Sequence, residues 1–234
     1  MNINLNSFIF FDIETVPIAP SLNEASDEIQ TAFVDFCDKR YLKDDPNLNI
    51  EELFDQKAAL LSEFADIACI SIGRIIDGEY KIVRLINEDD DCTDILTKFA
   101  KYLNKCPNVW LCGYNIINFD IPFIVKQMIK HNIKVPKILN TYFSKPWERT
   151  IFDIFDFWRN FRYDYMPSLL MVCSFLNCGN PKENISGADV GNYYWGKING
   201  VSRDEAKKII SDYCNNDVIA TMKILEKLKA SECI

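Results

Sequence analysis

The stretch "SFIFFDIETV", residues 7–16, places two carboxylates, Asp12 and Glu14, at the end of an aromatic and β-branched run. Along a β-strand, residues i and i+2 share a face. A strand over Phe8 to Glu14 therefore brings both acids out side by side, beside a hydrophobic run of the kind found in a central strand. Two like charges about 6 to 7 Å apart repel each other. Something positive has to sit between them, and the rest of the chain has to say what.

The 234 residues are 48% hydrophobic and 26% charged, the proportions of a globular protein with a sizeable core. The length fits one elaborated domain over residues 1–234. The opening "MNINLNSF" carries no basic lead, and no run approaches the roughly 18 apolar residues of a membrane span. A soluble, cytoplasmic protein without a membrane partner is the expectation. Nine cysteines stand at 37, 69, 92, 106, 112, 173, 178, 214 and 233, an odd number with no C-x-x-C pair and no zinc-ligand spacing. They read as small buried hydrophobes in a reducing compartment rather than a disulfide framework. The Asn184-Ile-Ser186 sequon then carries no meaning. The net charge of −8 is unevenly divided: residues 1–100 hold 21 acids and 8 bases, residues 101–234 hold 13 acids and 18 bases. That argues against a protein coating nucleic acid through overall charge, but not against one that grips a short strand locally.

After the first strand, Pro17 and Pro20 lead into an acidic, helical insertion over about residues 17–66, with Ile29, Ala32, Phe33, Phe36 and Cys37 at helical spacing and a second helix over about 50–63. Its expected role is to dock a partner or to cover the sheet edge. "DIACISIGRIIDGEYKIVRLI" reads as a hairpin turning at Asp77-Gly78, a pair suited to a type I′ turn. A helix over about 93–105 follows the acidic run "EDDD", which lacks EF-hand spacing and reads as a solvated helix start. "NVWLCGY" is a short buried strand. In "FDIPFIVKQMIKHNI" Asp120 stands where an N-cap would, and Pro122 suits the first turn. "TIFDIFDF" reads as a strand end running into a helix, and "PSLLMVCSFLN" as a helix closed near Gly179. "SRDE" at Ser202 is a capping box opening a last helix to about Lys229. The pattern is α/β, a mixed central sheet flanked by helices.

Two further stretches bear on the opening acids. "NIINFD", residues 115–120, ends in a carboxylate just past a buried strand. In "YCNND", residues 213–217, Tyr213 and Asp217 are i and i+4 and share one helical face. Asp-x-Glu on strand one, Asn-x3-Phe-Asp at a strand-to-helix junction and Tyr-x3-Asp on a late helix resemble, in that order, the DEDD superfamily of 3′–5′ exonucleases. "FADIACISIG" and "YCNNDVIATMKIL" are similar to the tyrosine branch and, within it, to stand-alone relatives of the proofreading domain of family B DNA polymerases. The histidine branch would need a histidine where Asp212 stands. The resemblance covers roughly residues 7–228 and implies a ribonuclease H-like fold and a nuclease acting on the 3′ end of single-stranded nucleic acid, DNA ahead of RNA. No polymerase segment accompanies it here, so proofreading would be done as a separate chain, with a replication or repair protein as partner.

Four converging carboxylates are costly unless cations neutralise them. Oxygen-only ligands select hard Mg²⁺ or Mn²⁺ over zinc. Two such ions would activate the attacking water and stabilise the leaving 3′ oxygen. The resemblance implies that Asp12 bridges the two ions, that Glu14 and Asp217 complete one site, and that Asp120 supports the second through water. Tyr213, a phenol with an ordinary pKa of about 10, is a poor general base at neutral pH and is expected to orient the attacking water. The backbone near Ile13 and Thr15 would meet the terminal nucleotide, with Asn115 and Phe119 shaping the same pocket and Lys182 touching a phosphate. Lys126, Lys130 and Lys134 form a basic row that reads either as a solvated helix face or as a track for the strand. His131, the only histidine, reads as a surface or satisfied residue. The competing readings are a catalytically silent nucleic-acid-binding or scaffold module with the same fold, and an RNA-directed 3′–5′ exonuclease.

Overall fold

The five strands β1 (Phe8–Pro17), β2 (Ala65–Ile76), β3 (Glu79–Ile86), β4 (Trp110–Gly113) and β5 (Ile151–Asp153) form one mixed sheet in the order β3-β2-β1-β4-β5. The computed structural model describes residues 4–88, 90–141, 144–145, 148–181 and 185–234. β1 runs antiparallel to β2 and parallel to β4, which places it at the centre of the sheet. Its side chains alternate between two cores, as period two requires. Ile9, Phe11 and Ile13 pack under helices α3 (Thr93–Asn104) and α4 (Asp120–Lys130). Phe8 and Phe10 pack under α6 (Leu169–Leu176) and α8 (Arg203–Ala230) on the opposite side. The expected mixed sheet flanked by helices is therefore present.

Local signals act where the sequence puts them. Asp77 and Gly78 both adopt positive φ, 53° and 81°, the requirement of a type I′ hairpin turn. The Ser202 hydroxyl accepts from the Glu205 N–H at 3.3 Å and opens α8. β1 is longer than the residue pattern predicts: a bulge between Glu14 and Thr15 carries it on to Pro17, and a terminal position tolerates proline. α2 (Ile50–Lys57) stops short of residue 63 and passes into a 3₁₀ turn.

The acidic insertion, α1 (Asp27–Arg40) with α2, builds a satellite core of its own. Phe33 sits edge-on to Phe54 and Phe64 with ring centroids 5.1 and 5.0 Å away. It does not cover a sheet edge, because the edges are β3 and β5. It is fastened at the end of β1 instead, where the Ile18 N–H donates to the Phe64 carbonyl at 2.9 Å. The short helices α5 (Ile154–Arg159) and α7 (Val190–Tyr194) complete the fold. Among the described residues no helix is long and apolar enough to cross a membrane.

One glycine is required by close approach. β4 leaves the sheet at Gly113, where a Cβ would come within 2.1 Å of Ile116 Cγ2 and 2.9 Å of the Phe11 carbonyl oxygen. Neither can yield cheaply, one being β-branched and the other backbone. Gly113→Ala is expected to destabilise the protein by about 2 kcal/mol, read as a lower urea midpoint at unchanged slope. A loss under about 0.5 kcal/mol would mean that the β4 exit is looser than described.

Candidate active site

The pairing of β4 with β1 covers only Phe8 to Phe10, after which the two chains diverge. Beyond the divergence, the Ile13 N–H finds no strand carbonyl on that side. It donates to Asp120 Oδ1 at 3.1 Å. Asp120 is the first residue of α4, with Phe119 in the N-cap position. The expectation that Asp120 caps its own helix is thus corrected: its carboxylate reaches back to the central strand, taking a place the sheet leaves open.

A second carboxylate holds the loop that delivers it. Asp153, at the end of β5, accepts from the Asn115 N–H (2.8 Å) and the Phe155 N–H (3.0 Å) through Oδ1, and from the Ile117 N–H (2.9 Å) through Oδ2. Asn115 takes a left-handed conformation (φ 64°), which its short polar side chain tolerates, and its carbonyl accepts from Asn118 and Phe119. The loop between β4 and α4 is therefore fixed by one buried acid at its start and committed to another at its end.

From the other side, α8 crosses the sheet. Arg84 on β3 forms an ion pair with Asp212, so position 212 fastens the helix to the sheet. The next residues turn inward. The Cys214 thiol lies 3.3 Å from the Asp12 carbonyl oxygen and 3.4 Å from Asp12 Oδ2. Ligand atoms of Asp12, Glu14 and Cys214 all fall within 4.8 Å of one another. Glu14 and Asp120 are only 8% and 3% exposed, and Tyr213 only 7%.

The electrostatics follow from that crowding. Burial pushes Asp12 well above the usual carboxylate range, and Cys214, Asp120 and Asp217 add to the rise. Asp120 is pushed up to about 7, chiefly by burial, against the opposing hydrogen bond from Ile13, with Asp153 and Asp217 raising it further. Burial, then Asp217, Glu14 and Asp12, drive the Tyr213 phenol above its ordinary range. Burial, Cys69 and the Glu14 charge raise the Cys214 thiol. Asp12, Glu14, Asp120, Tyr213 and Asp217, distant in sequence, thus act on one another at a single place between β1, α4 and α8.

The residues expected around them are less uniform. Ile13 and Thr15 stand on β1 beside the acids, with the Ile13 N–H given to Asp120 and the Thr15 hydroxyl donating to the Ala59 carbonyl at 2.6 Å. Asn115 Oδ1 accepts from Asn118, and the Phe119 ring packs on Phe123 with centroids 5.6 Å apart. Lys182 lies outside the described residues. Of the basic row, Lys126 pairs with Glu63 at 2.8 Å and Lys130 faces Asp66 at 3.7 Å, both on α4, and Lys134 lies beyond the end of that helix. Two contributors escaped the sequence reading. Asp153 repeats the strand-to-helix Phe-Asp pattern of Asp120, a signal that was there to use. Cys214, inside "YCNND", carries none.

A family model described as "Predicted 3'-5' exonuclease related to the exonuclease domain of PolB" matches residues 58–231, well over half of the chain. Asp120, Asp153, Tyr213 and Asp217 fall inside the match; Asp12 and Glu14 precede it. No curated protein matches the chain. Among solved structures, the family B DNA polymerase of the hyperthermophilic archaeon Pyrobaculum calidifontis superposes with a TM-score of 0.59 at 15% identity, covering 95% of this chain and 24% of the polymerase. A zinc-bound E. coli ExoI–ssDNA complex, also 15% identical, covers 98% of this chain and 42% of its own, with a TM-score of 0.39 that carries no argument. The chain spans about a quarter of the polymerase it superposes on. Its fold is ribonuclease H-like, and it belongs to the DEDD-superfamily group of predicted 3′–5′ exonucleases related to the exonuclease domain of PolB.

Proposed function

We propose that this chain is a tyrosine-branch, metal-dependent 3′–5′ exonuclease that removes nucleotides from the 3′ end of single-stranded nucleic acid, DNA ahead of RNA. The observation that carries the reading is the gathering of acids at one place: Asp12 and Glu14 share one face of β1, the buried Asp120 carboxylate accepts from the Ile13 N–H of the same strand, and Asp217 acts on Asp12, Asp120 and the Tyr213 phenol. Such an arrangement is costly to the fold by itself and serves a reaction that recruits positive charge.

The donor chemistry fits hard divalent ions. Asp12, Glu14, Asp120 and Asp217 offer oxygen only, which suits Mg²⁺ or Mn²⁺. Among the described residues Cys214 is the sulfur in that cluster, and no imidazole joins it, so carboxylate oxygen dominates the donor set. Bound there, two divalent ions would supply the acidity that makes water a nucleophile and the charge that stabilises the leaving 3′ oxygen. The chain's own residues do the rest. The four acids fix where positive charge can collect. The hydrogen bond from Ile13 keeps Asp120 against β1. Tyr213, whose phenol is ordinarily protonated at neutral pH and is raised further by burial and the neighbouring acids, orients the attacking water. The water oxygen bonds to phosphorus as the P–O3′ bond breaks; the water gives up a proton to solvent, the O3′ of the shortened strand takes one up as a hydroxyl, and the terminal residue departs as a nucleoside 5′-monophosphate.

The direct test is digestion of 5′-labelled single-stranded DNA and RNA side by side, with EDTA and variant controls. A 3′-to-5′ ladder is expected on DNA, abolished by EDTA and lowered at least about a thousandfold by Asp12→Ala, the equivalent of several kcal/mol of lost charge stabilisation. Tyr213→Phe is expected to cost far less, about tenfold. Strand binding without cleavage by the wild type would make the chain a silent module; equal losses in the two variants would give Tyr213 more than an orienting role.

Stability supplies a second test. A carboxyl whose folded pKa lies above its unfolded value of about 4 binds more protons in the folded state between the two values, so stability falls as pH rises through that window. With Asp120 near 7 and Asp12 raised as well, the melting midpoint in EDTA should fall between pH 5 and pH 7. Paired acids such as Asp90 and Asp91, held below their ordinary range, act at lower pH and leave this window clear. Millimolar Mn²⁺ should restore the midpoint, because an ion that binds only the folded state stabilises it. Asp120→Asn should flatten the slope; a wild-type midpoint that rises across the window would contradict the charge clustering.

A further inference from the structure

A second cluster, unrelated to the four acids, brings Asp66, Cys92 and His131 together. They come from the start of β2, the residue ahead of α3 and the residue after α4. Cys92 is fully buried. Its sulfur lies 3.0 Å from Asp66 Oδ1, 3.5 Å from His131 Nε2 and 4.0 Å from Gln127 Oε1.

Proton counting makes this set unusual. The Thr93 hydroxyl donates to Asp91 Oδ1, so the 2.8 Å contact between Thr93 Oγ1 and His131 Nδ1 is a hydrogen bond donated by the imidazole. Nε2 then bears a lone pair and points it at the sulfur. Both hydrogens of the Gln127 amide side are turned away, with Nε2 donating to the Ser62 carbonyl (2.9 Å) and the Ala65 carbonyl (2.7 Å), so its Oε1 also faces inward. Three acceptors thus surround one thiol that has a single proton to give. A cation in place of that proton satisfies all of them.

We propose that Asp66, Cys92 and His131 bind a structural Zn²⁺ ion, with Gln127 Oε1 or a water as the fourth ligand. Zinc bonds of about 2.3 Å to sulfur and 2.0 Å to nitrogen at the tetrahedral angle separate those atoms by roughly 3.5 Å, the separation found. The three ligand atoms all lie within 4.8 Å of one another. Sulfur and nitrogen donors select zinc over Mg²⁺ or Mn²⁺. One thiolate and one carboxylate balance the ion's charge in a buried place, the thiol proton leaving to solvent as the ion enters. The outer partners are those a metal-binding histidine uses: Nδ1 is tied through the Thr93 hydroxyl to the Asp91 carboxylate. The Lys130 ammonium, 3.7 Å from Asp66 Oδ2, steadies the other carboxylate oxygen. An ion there would clamp the start of β2 to α3 and to the far end of α4, the helix that begins with Asp120.

The test uses the full chain and does not depend on nuclease activity. Protein dialysed against metal-free buffer is titrated with Co²⁺, and the near-ultraviolet cobalt–thiolate band is followed; zinc is measured in the undialysed protein. The expected result is about one zinc per chain and a band saturating at one equivalent, displaced by Zn²⁺. It should vanish in Cys92→Ser, persist in Cys214→Ser, weaken at least about a hundredfold in affinity in His131→Gln, and weaken roughly tenfold or more in Thr93→Val. Wild-type protein with neither zinc nor band, or a band lost only in Cys214→Ser, would overturn the proposal and leave the cluster as hydrogen bonds alone. Should Cys92→Ser fail to fold, the wild-type titration and the His131→Gln affinity still decide.

Discussion

A strand buried on both faces gives its charged residues nowhere to go. β1 lies between two cores at the centre of the sheet, so an acid on it cannot reach bulk water by turning over. Asp12, half-buried, and Glu14, buried, must be offset where they stand, since a carboxylate taken out of water costs several kcal/mol when unpaired. The neighbours that the fold supplies aggravate the problem, since Asp120 and Asp217 raise Asp12 further. A fold that gathers acids around a buried strand has given up stability at that place in return for affinity for positive charge. The separation of β4 from β1, the departure of the chain at Gly113 and the approach of α8 are all arranged around this one point.

The parts legible in the sequence were those governed by short-range rules. Period two in "FIFFDIET" put Asp12 and Glu14 on one face, Asp77-Gly78 demanded its turn, and the four-residue interval placed Tyr213 and Asp217 together. What could not be read depended on which elements meet. Asp153 looks like a helix cap, and it is one for α5, but its second oxygen holds the loop carrying Asn115 and Ile117, a relation only the pairing of β4 with β5 creates. Lys126 and Lys130 looked like an open basic face because Glu63 and Asp66, some 60 residues earlier, gave no sign of lying beneath them. The central place of β1 is legible in its hydrophobic run, but which element the insertion packs beside is not, because its satellite core forms through contacts between distant residues such as Phe33 and Phe64. Cysteine spacing and a lone histidine give no sign of the Asp66, Cys92 and His131 cluster, because residues so far apart in the chain have no ligand spacing to recognise.

The family match begins at residue 58 and so omits β1, yet the matched part cannot do without it. β2 and β3 form one antiparallel pair and β4 and β5 one parallel pair, and β1 is the strand that joins the two pairs into a sheet. Without it, Ile70, Ile72 and Leu111 would lose the shared core in which Ile9 and Phe11 sit. Asp120 would lose the Ile13 N–H as well. A first strand of this position and burial is therefore required by the same architecture that the matched residues form, and the two acids it carries face the matched Tyr213 and Asp217 for that structural reason.

α4 joins the two proposed metal sites. Asp120 opens the helix among oxygen donors, and His131 follows its last turn beside a buried thiol, roughly 16 Å away at 1.5 Å per residue. The second cluster is assigned to zinc rather than to a hard ion in that proposal, because nitrogen and sulfur donors are available there. Beside the four acids, the Cys214 thiol is raised by burial, by Cys69 and by the Glu14 charge, and no imidazole stands in its cluster. Burial raises the Cys92 thiol too, reinforced by Asp66, but there an imidazole lone pair stands beside the sulfur. What separates the two places is the donor set: carboxylates beside Cys214, an imidazole and a carboxylate beside Cys92.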